Sequence, residues 1–260
     1  MPAGELGIRR TDVLRTQGGR SVPAEDELAV EEPIEIRVDG EPWTVVMRTP
    51  GDDLELAVGL LRAEQMIAGV DELASVVRCG DGPDEMVDVL RTEAAKGRRK
   101  PRRSLLSTTS CGVCGKRAIE DLHKSLSPYP ERRSPPVELC LELPRRLAEG
   151  QALFTRTGGL HAAAIFGFDG ALKVLREDVG RHNAVDKCVG HLLLQGAAPS
   201  GLVLVVSGRS SFEIVEKAWS AGISAIVAVS APSSLAVELA RAARIALYGF
   251  ARGDAINQYA

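Results

Sequence analysis

Cys111 and Cys114 stand two residues apart in the segment STTSCGVCGK, between glycines and directly before a predicted helix. The chain has only five cysteines in 260 residues, so a close pair is a strong candidate for chemistry. A C-x-x-C pair serves metal binding, thiol–disulfide exchange or sulfur transfer. Each of these functions makes different demands on the rest of the sequence.

Metal binding is the least favoured of the three. A structural zinc site needs about four ligands, and Cys79, Cys140 and Cys188 are isolated in the sequence. Zinc nucleobase deaminases combine C-x-x-C with H-x-E, but none of the four histidines has a glutamate two residues further on. We therefore expect no metal bound by protein ligands.

Thiol–disulfide exchange and sulfur transfer both fit the spacing. A helix start lowers a thiol pKa through the helix dipole, which suits a redox pair. A thioredoxin-like site also needs a buried strand directly upstream, where this chain has a basic segment. A low-pKa thiolate flanked by Gly112 and Gly115 also suits a persulfide carrier, because glycine lets a bulky partner approach. Spacing alone leaves these two functions open.

Composition sets the broad class of protein. The net charge is −3 and the hydrophobic content is 45%. No apolar run approaches the roughly 18 residues of a transmembrane helix. The start of the chain lacks a signal-peptide core, and the scattered cysteines do not resemble a secreted disulfide framework. We expect a cytoplasmic protein, with neither nucleic acid nor membrane as a partner.

The first part of the chain divides into three segments. Residues 1–28 are polar and predict a flexible arm. Residues 29–91 predict a small α+β unit, with a hairpin around Asp39-Gly40, a helix over DDLELAVGLLRAEQMI, and strands at ASVVRC and EMVDVL. Residues 92–110 form a basic linker, in which six of the nine residues 96–104 are Lys or Arg. This run is either a solvated linker or a docking surface for an acidic partner or anionic cofactor.

Residues 111–260 predict an α/β domain. A helix follows the cysteine pair, and Asp169-Gly170 marks a second hairpin. LVLVV, AIVAVS and IALYGFA read as buried strands of a parallel or mixed sheet, and helices alternate with them. Asn183 is the predicted N-cap of one helix, and Ser210 with Glu213 matches a capping box at another.

Several residues of this domain have the chemistry to bind an anion. Arg209 lies in SGRSS, between a buried strand and a helix start, where backbone amides favour anions. His182 is placed to bind a polar ligand group or, equally, a buried carbonyl. The Gly158-Gly159 turn permits close approach of a ligand. Asp178 and Asp186 are interpreted as caps and surface charges rather than catalytic acids.

Five segments together carry a resemblance to a known family: TSCGVCGK, TGGLHAAA, EDVGRHNAVDK, SGRSSFEIVEKA and LYGFARGDAINQY. In this order they resemble the formate dehydrogenase accessory sulfurtransferases, the FdhD family. The resemblance implies a cytidine-deaminase-like α/β/α fold for the main domain, with the smaller N-terminal α+β unit beside it. It also implies a homodimer.

The resemblance further implies a reaction, a cofactor and partners. The family carries sulfur from a cysteine desulfurase to the molybdenum or tungsten bis(molybdopterin guanine dinucleotide) cofactor of formate dehydrogenase. Cys111 matches the persulfide carrier and Cys114 its partner. The alternatives are a thiol–disulfide oxidoreductase and a non-catalytic cofactor chaperone. The family's cofactor-binding segment falls on Phe250, Ala251, Arg252, Gly253, Asp254 and Ala255.

The residue types in this segment suit a guanine nucleotide. Phe250 offers a face for stacking a purine, and Arg252 can contact a phosphate or a base edge. Asp254 can accept hydrogen bonds from the ring N–H and amino group of guanine, which adenine does not offer in that pattern. The sequence therefore predicts that Phe250, Arg252 and Asp254 read the nucleotide.

Overall fold

The structure is a computed structural model that describes residues 7–80, 85–97, 127–130, 133–197 and 201–260. The strands in these ranges are β1 Ile8–Gln17, β2 Arg20–Ala29, β3 Glu32–Val38, β4 Glu41–Arg48, β5 Leu73–Cys79, β6 Met86–Arg91, β7 His161–Gly167, β8 Leu172–Asp178, β9 Leu202–Val206, β10 Ala225–Ala228, β11 Ala246–Arg252 and β12 Ala255–Gln258. The α-helices are α1 Asp53–Ala63, α2 Glu93–Lys96, α3 Val137–Glu149, α4 Ala152–Thr157, α5 Arg181–Leu194, α6 Phe212–Ser220 and α7 Ser234–Ala243, with a 3-10 turn at Val70–Glu72.

Residues 8–29 form an antiparallel hairpin of β1 and β2, so the prediction of a loose arm is wrong for them. The two strands are joined at Gly18 and Gly19, which both have positive φ. That Gly-Gly pair is a sequence signal for a two-residue hairpin turn. Arg156 of α4 donates to Glu27 at 2.6 and 2.7 Å and ties the hairpin to the main domain.

The N-terminal unit is a four-stranded sheet in the order β4-β3-β6-β5, with α1 packed on one face. The predicted hairpin is confirmed: β3 and β4 pair around Asp39 and Gly40, with φ of 56° and 79°. The predicted helix and the two short strands are present as α1, β5 and β6. Alternating buried residues of β3, Ile34 to Val38, supply the core of this unit.

The main domain contains a six-stranded sheet in the order β12-β11-β10-β9-β7-β8. Strands β9, β10 and β11 run parallel, whereas β7 is antiparallel to both of its neighbours β8 and β9. All five residues of β9 are buried, as their continuous apolar run predicts. The predicted mixed sheet and the Asp169-Gly170 hairpin are confirmed.

Helices cover both faces of this sheet. Cys140, Leu143 and Leu147 of α3 pack with Ala162 and Ala164 on one face. Helices α5, α6 and α7 pack on the other face, against the alternate residues of β7, such as Ala163. The domain is therefore a three-layer α/β/α arrangement, and the more specific cytidine-deaminase-like description stays a prediction.

Two predicted helix caps are wrong. Helix α5 begins at Arg181 after Gly180, and Asn183 lies inside its first turn, where its side chain donates to the Met47 carbonyl at 2.8 Å. The N-cap of α6 is Ser211 rather than Ser210. Tertiary contacts occupy the side chains of Asn183 and of Glu213, the predicted capping-box partner of Ser210, which pairs with His182.

Candidate functional site

Four strand ends and three helix starts meet at one edge of the main sheet. Strands β8, β9, β10 and β11 run in the same direction, and α5, α6 and α7 begin after β8, β9 and β10 respectively. The amino end of β7 lies at the same edge because that strand runs the opposite way. Helix N-termini carry partial positive charge, so this edge favours an anionic ligand.

A cleft of about 1020 Å³ opens at this edge, between the sheet and α3. In open α/β sheets, ligands bind beyond the carboxyl ends of the strands. The lining comes from five separate parts of the chain: Glu138, Leu141, Glu142, Pro144, Arg145, Leu147, Ala148; Gln151, Phe154, Gly158, Gly159, Leu160, His161; Ser207; Val229; and Ala251, Arg252, Gly253.

Part of the predicted cofactor segment lies in the cleft. Ala251, Arg252 and Gly253 line it, at the end of β11 and the turn into β12. Arg252 Nε donates to the Val229 carbonyl at 3.0 Å, which fixes the arginine stem across the end of β10. The Gly158-Gly159 turn lines the same cleft, so the structure brings together two segments that the sequence singled out separately.

The other three residues of that segment do not line the cleft. Phe250 has φ of 53° and its side chain is 42% exposed. Asp254 is exposed in the turn between β11 and β12, and Ala255 begins β12. A register shift between Gly249 and Arg252 causes this division, because it changes which side chains of β11 face α3.

His182 and Arg209 lie at the same edge but in different surroundings. His182 Nε2 is 2.9 Å from Glu213 Oε2 and 3.2 Å from Ser211 Oγ, so the imidazole joins α5 to α6. The hydrogen bond from His182 holds the pKa of Glu213 below its usual range, against the effect of burial. Arg209 is exposed on the loop before α6. Its guanidinium adds positive charge to the edge.

Arg181 and His161 are neighbours that sequence reasoning left unassigned. A Cβ added to Gly208 would lie 3.5 Å from His161 Nδ1 and 3.8 Å from Arg181 Cδ, so both side chains pack against this glycine. Burial first, and then the positive charge of Arg181, lower the pKa of His161. The Arg181 Nε is buried and has no hydrogen-bond partner within the residues that the structure describes.

Asp178 and Asp186 are buried ion-pair partners, so their interpretation as caps and surface charges is wrong. Lys187 Nζ lies 2.8 Å from Asp178 Oδ2 and donates to the Thr49 carbonyl at 2.9 Å. Lys217 Nζ donates to both Asp186 oxygens at 2.7 and 2.8 Å. These carboxylates hold the fold together beneath the edge and have no access to a ligand.

Cys111 and Cys114 lie outside the described residues, as do residues 98–126 that include most of the basic run and the helix predicted after the pair. Of the remaining cysteines, Cys140 and Cys188 are buried and Cys79 is exposed. Burial raises the pKa of Cys140 to about 11 and also raises that of Cys188. The two buried thiols are therefore poor nucleophiles.

The described ranges contain no group of three or more His, Cys, Asp or Glu residues arranged to hold a metal ion. Over the same ranges, none of the helices combines the length and apolar character needed to cross a bilayer.

Sequence reasoning missed one whole wall of the cleft. Helix α3 presents Glu138, Leu141, Glu142, Arg145 and Ala148 to it. Their spacing of three and four residues is the helical signal that marks one face, and the preceding Pro135-Pro136 pair marks the helix start. Phe154 and Ser207 also line the cleft, and no local pattern distinguishes them from other surface residues.

The fold and the cleft define an α/β protein with a candidate ligand site at the carboxyl edge of its central sheet. The particular family follows from comparison with known proteins. The family model for the FdhD/NarQ family matches residues 29–260, and the chain belongs to that family.

Curated relatives cover almost the whole chain. The sulfur carrier protein FdhD of Anaeromyxobacter dehalogenans strain 2CP-C is 47% identical, over 100% of this chain and 93% of its own length. The protein of the same name from Streptomyces coelicolor is 46% identical, over 96% and 93%. The crystal structure of a Desulfotalea psychrophila protein, assigned as a formate dehydrogenase accessory protein, matches with a TM-score of 0.76 and 25% identity, over 97% of this chain and 95% of the other.

Proposed function

We propose that this protein is a sulfur carrier that acts as a sulfurtransferase through a persulfide on Cys111. The Cys111 thiolate attacks the outer sulfur of a cysteine desulfurase persulfide, and the donor cysteine leaves as a thiolate. The S–S bond of the Cys111 persulfide then breaks: the outer sulfur passes as sulfane sulfur to the bis(molybdopterin guanine dinucleotide) cofactor destined for formate dehydrogenase, and Cys111 is left as a thiolate. The names of the curated relatives support the carrier role. The homodimer and the cytoplasmic location stay predictions.

The observation that carries this proposal is the cleft at the carboxyl edge of the sheet. A bis-dinucleotide cofactor is large and rich in phosphate, and the cleft is large, is lined by Arg252 and opens at the sheet edge where α5, α6 and α7 begin. In the proposal Ala251, Arg252 and Gly253 contact the nucleotide half of the cofactor. His182 holds α5 and α6 in place through Glu213 rather than binding the ligand itself.

Intact mass after incubation with a cysteine desulfurase and cysteine tests the carrier step. We expect one added sulfur on the wild-type chain and none on Cys111→Ala, whereas Cys114→Ala loads partly because external thiols replace a resolving thiol. The matched control is Cys79→Ser, which removes the exposed cysteine of β5 and leaves loading unchanged. A Cys111–Cys114 disulfide in place of the adduct supports an oxidoreductase, and an unchanged mass supports a cofactor chaperone.

Titration calorimetry with GDP and ADP tests the cofactor step. We expect GDP to bind more tightly, and Arg252→Ala to weaken it by about tenfold through loss of a charge-assisted phosphate contact. Arg241→Ala is the matched control, because Arg241 is also exposed and its Nε also donates to a backbone carbonyl, that of Tyr259. Equal affinities for both nucleotides, or an unaffected Arg252→Ala variant, contradict the assignment.

A further inference from the structure

Exposed aromatic side chains are rare on this protein. The chain has five Phe, three Tyr and two Trp, and all of them fall within the described residues. Only Phe154, at 41%, and Phe250, at 42%, leave a large part of the ring exposed. Planar ligands bind well against such rings, so these two residues are the candidates for stacking. Only Phe154 lies in the cleft.

The backbone that carries Phe154 is fixed on two sides. Glu177 of β8 accepts hydrogen bonds from the backbone N–H groups of Leu153 and Phe154, at 2.9 and 2.8 Å. Arg156, two residues further along α4, is held by Glu27 of the hairpin. A short helix fixed in this way presents the ring with little loss of entropy when a ligand binds.

The cleft next to α4 has room for a ring system. Gly158 ends α4 with φ of +65°, and a Cβ placed on it would meet no atom of the described residues within 4 Å. Ala148 of α3 and the Gly158-Gly159 turn line the same cleft as Phe154, so part of its wall is a small side chain and bare backbone. This combination suits a flat ligand that enters beside the phenyl face.

Arg252 lines the same cleft from the end of β11, three strand positions away from β7. His161 is the first residue of β7 and follows the short turn after α4, whereas Arg252 is the last residue of β11. These two strands are separated by β9 and β10, which places them roughly 14 Å apart at a spacing of about 4.8 Å per strand. A ligand with a ring at α4 and phosphates near Arg252 therefore lies along the strand ends.

We propose that Phe154 is the stacking residue of the cleft and binds the fused 2-amino-4-oxopyrimidine ring of the ligand. Guanine and the pterin of molybdopterin both contain this ring, so both are sources of the same chemistry. The inference rests on the proposed function, and it assigns to Phe154 the stacking role that the sequence predicted for Phe250.

Calorimetry with GDP and with 6-hydroxymethylpterin tests the assignment on the full chain. We expect Phe154→Leu to raise the Kd by about tenfold or more, since removing an aromatic platform beneath a base costs roughly that much. Phe250→Leu is the competing variant, because it removes an equally exposed ring outside the cleft, and we expect it to raise the Kd less than Phe154→Leu does. Leu172→Ala is the control that leaves the Kd unchanged, because it trims an exposed side chain of β8 that does not line the cleft. Phe154→Tyr retains an aromatic ring, and we expect its Kd to stay close to that of the wild type. Circular dichroism and thermal melts of each variant confirm that it is folded.

The two ligands distinguish the source of the ring. Loss of GDP affinity alone assigns Phe154 to guanine, and loss of pterin affinity alone assigns it to the pterin. If the folded Phe154→Leu variant keeps wild-type affinity for both, or if Phe250→Leu is the variant that loses affinity, the inference is overturned while the proposed function stands. If the wild-type chain binds neither ligand, the cofactor step of the proposed function fails together with this inference.

Discussion

Arg181 and His182 are adjacent residues with different surroundings at the edge of the sheet. His182 is held by Glu213 and Ser211, whereas the Arg181 side chain packs against Gly208, as does that of His161. Burial and the Arg181 charge lower the pKa of His161, with a smaller contribution from His182 and an opposing one from Asp178. His161 lines the cleft, and with its pKa lowered we expect its imidazole to be mostly neutral at pH 7.

The ring signals of His161 in an NMR pH titration check this charge state. We expect a midpoint below the ordinary 6.5, and an upward shift in Arg181→Ala because the repelling charge is gone. The exposed Arg209→Ala variant serves as the control and leaves the midpoint in place. A lowered pKa means that the unfolded chain binds a proton first, so the contribution of His161 to stability is complete above pH 6.5 and is lost as the pH falls from there through the folded pKa. A wild-type midpoint at or above 6.5 contradicts this account.

At the scale of elements, α1 and α5 pack in close contact where each helix has a glycine, Gly59 in α1 and Gly190 in α5. A Cβ on Gly59 would lie 1.8 Å from the Asp186 carbonyl oxygen, and one on Gly190 would lie 1.9 Å from that of Glu55. Each helix thus places its backbone against the other without side chains between. This contact seats the N-terminal unit on the main domain, against the middle of α5.

Gly59→Ala and Gly190→Ala are expected to destabilise the protein by at least about 2 kcal/mol each, because overpacking outweighs the roughly 1 kcal/mol that alanine normally adds to helix stability. Gly97→Ala is the control, since among the described residues its Cβ would meet only the Ala94 carbonyl, at 4.0 Å. Urea denaturation gives the free energies of unfolding. Neutral or stabilising alanines at positions 59 and 190 would falsify the close crossing.

At the scale of the whole molecule, a buried polar cluster joins the two units. Asp178 accepts from the Thr49 backbone N–H at 3.2 Å and from Asn183 at 2.9 Å, and it pairs with Lys187. Thr49 follows β4 of the N-terminal unit, whereas the other three residues belong to the main domain. The cluster fixes where the N-terminal unit meets the strand ends that form the cleft.

Asp178→Asn is expected to cost about 3–5 kcal/mol, because it leaves the Lys187 ammonium buried without its counter-charge. Glu149→Gln is the matched control: it breaks the exposed Arg145–Glu149 pair of α3 and should change stability by less than about 1 kcal/mol. Guanidinium denaturation followed by circular dichroism measures both. A cost for Asp178→Asn no larger than that of the control would show that the cluster contributes little.

The sequence by itself determined the features that depend on adjacent residues. Asp39-Gly40 and Asp169-Gly170 predict their hairpins because few residues adopt the turn conformation, and the run Leu202–Val206 predicts a buried strand because it lacks polar residues. The C-x-x-C spacing and the order of the five segments pointed to the family. Where a local signal was overlooked, as at Gly18-Gly19, it was nevertheless present in the sequence.

Only the tertiary structure decided which side chains share the site. The cleft brings together residues that are distant in the chain: Glu138, Phe154, Ser207, Val229 and Arg252. They meet because α3 packs across the sheet near the edge where the strands end and the following helices begin. The bulge in β11 leaves Phe250 outside the cleft that Arg252 lines, and Asp254 lies in the turn beyond the strand. Asn183 and Glu213, which the sequence assigned to helix starts, instead bind the Met47 carbonyl and His182. Such outcomes depend on distances between residues far apart in sequence, which no local pattern of residue types encodes.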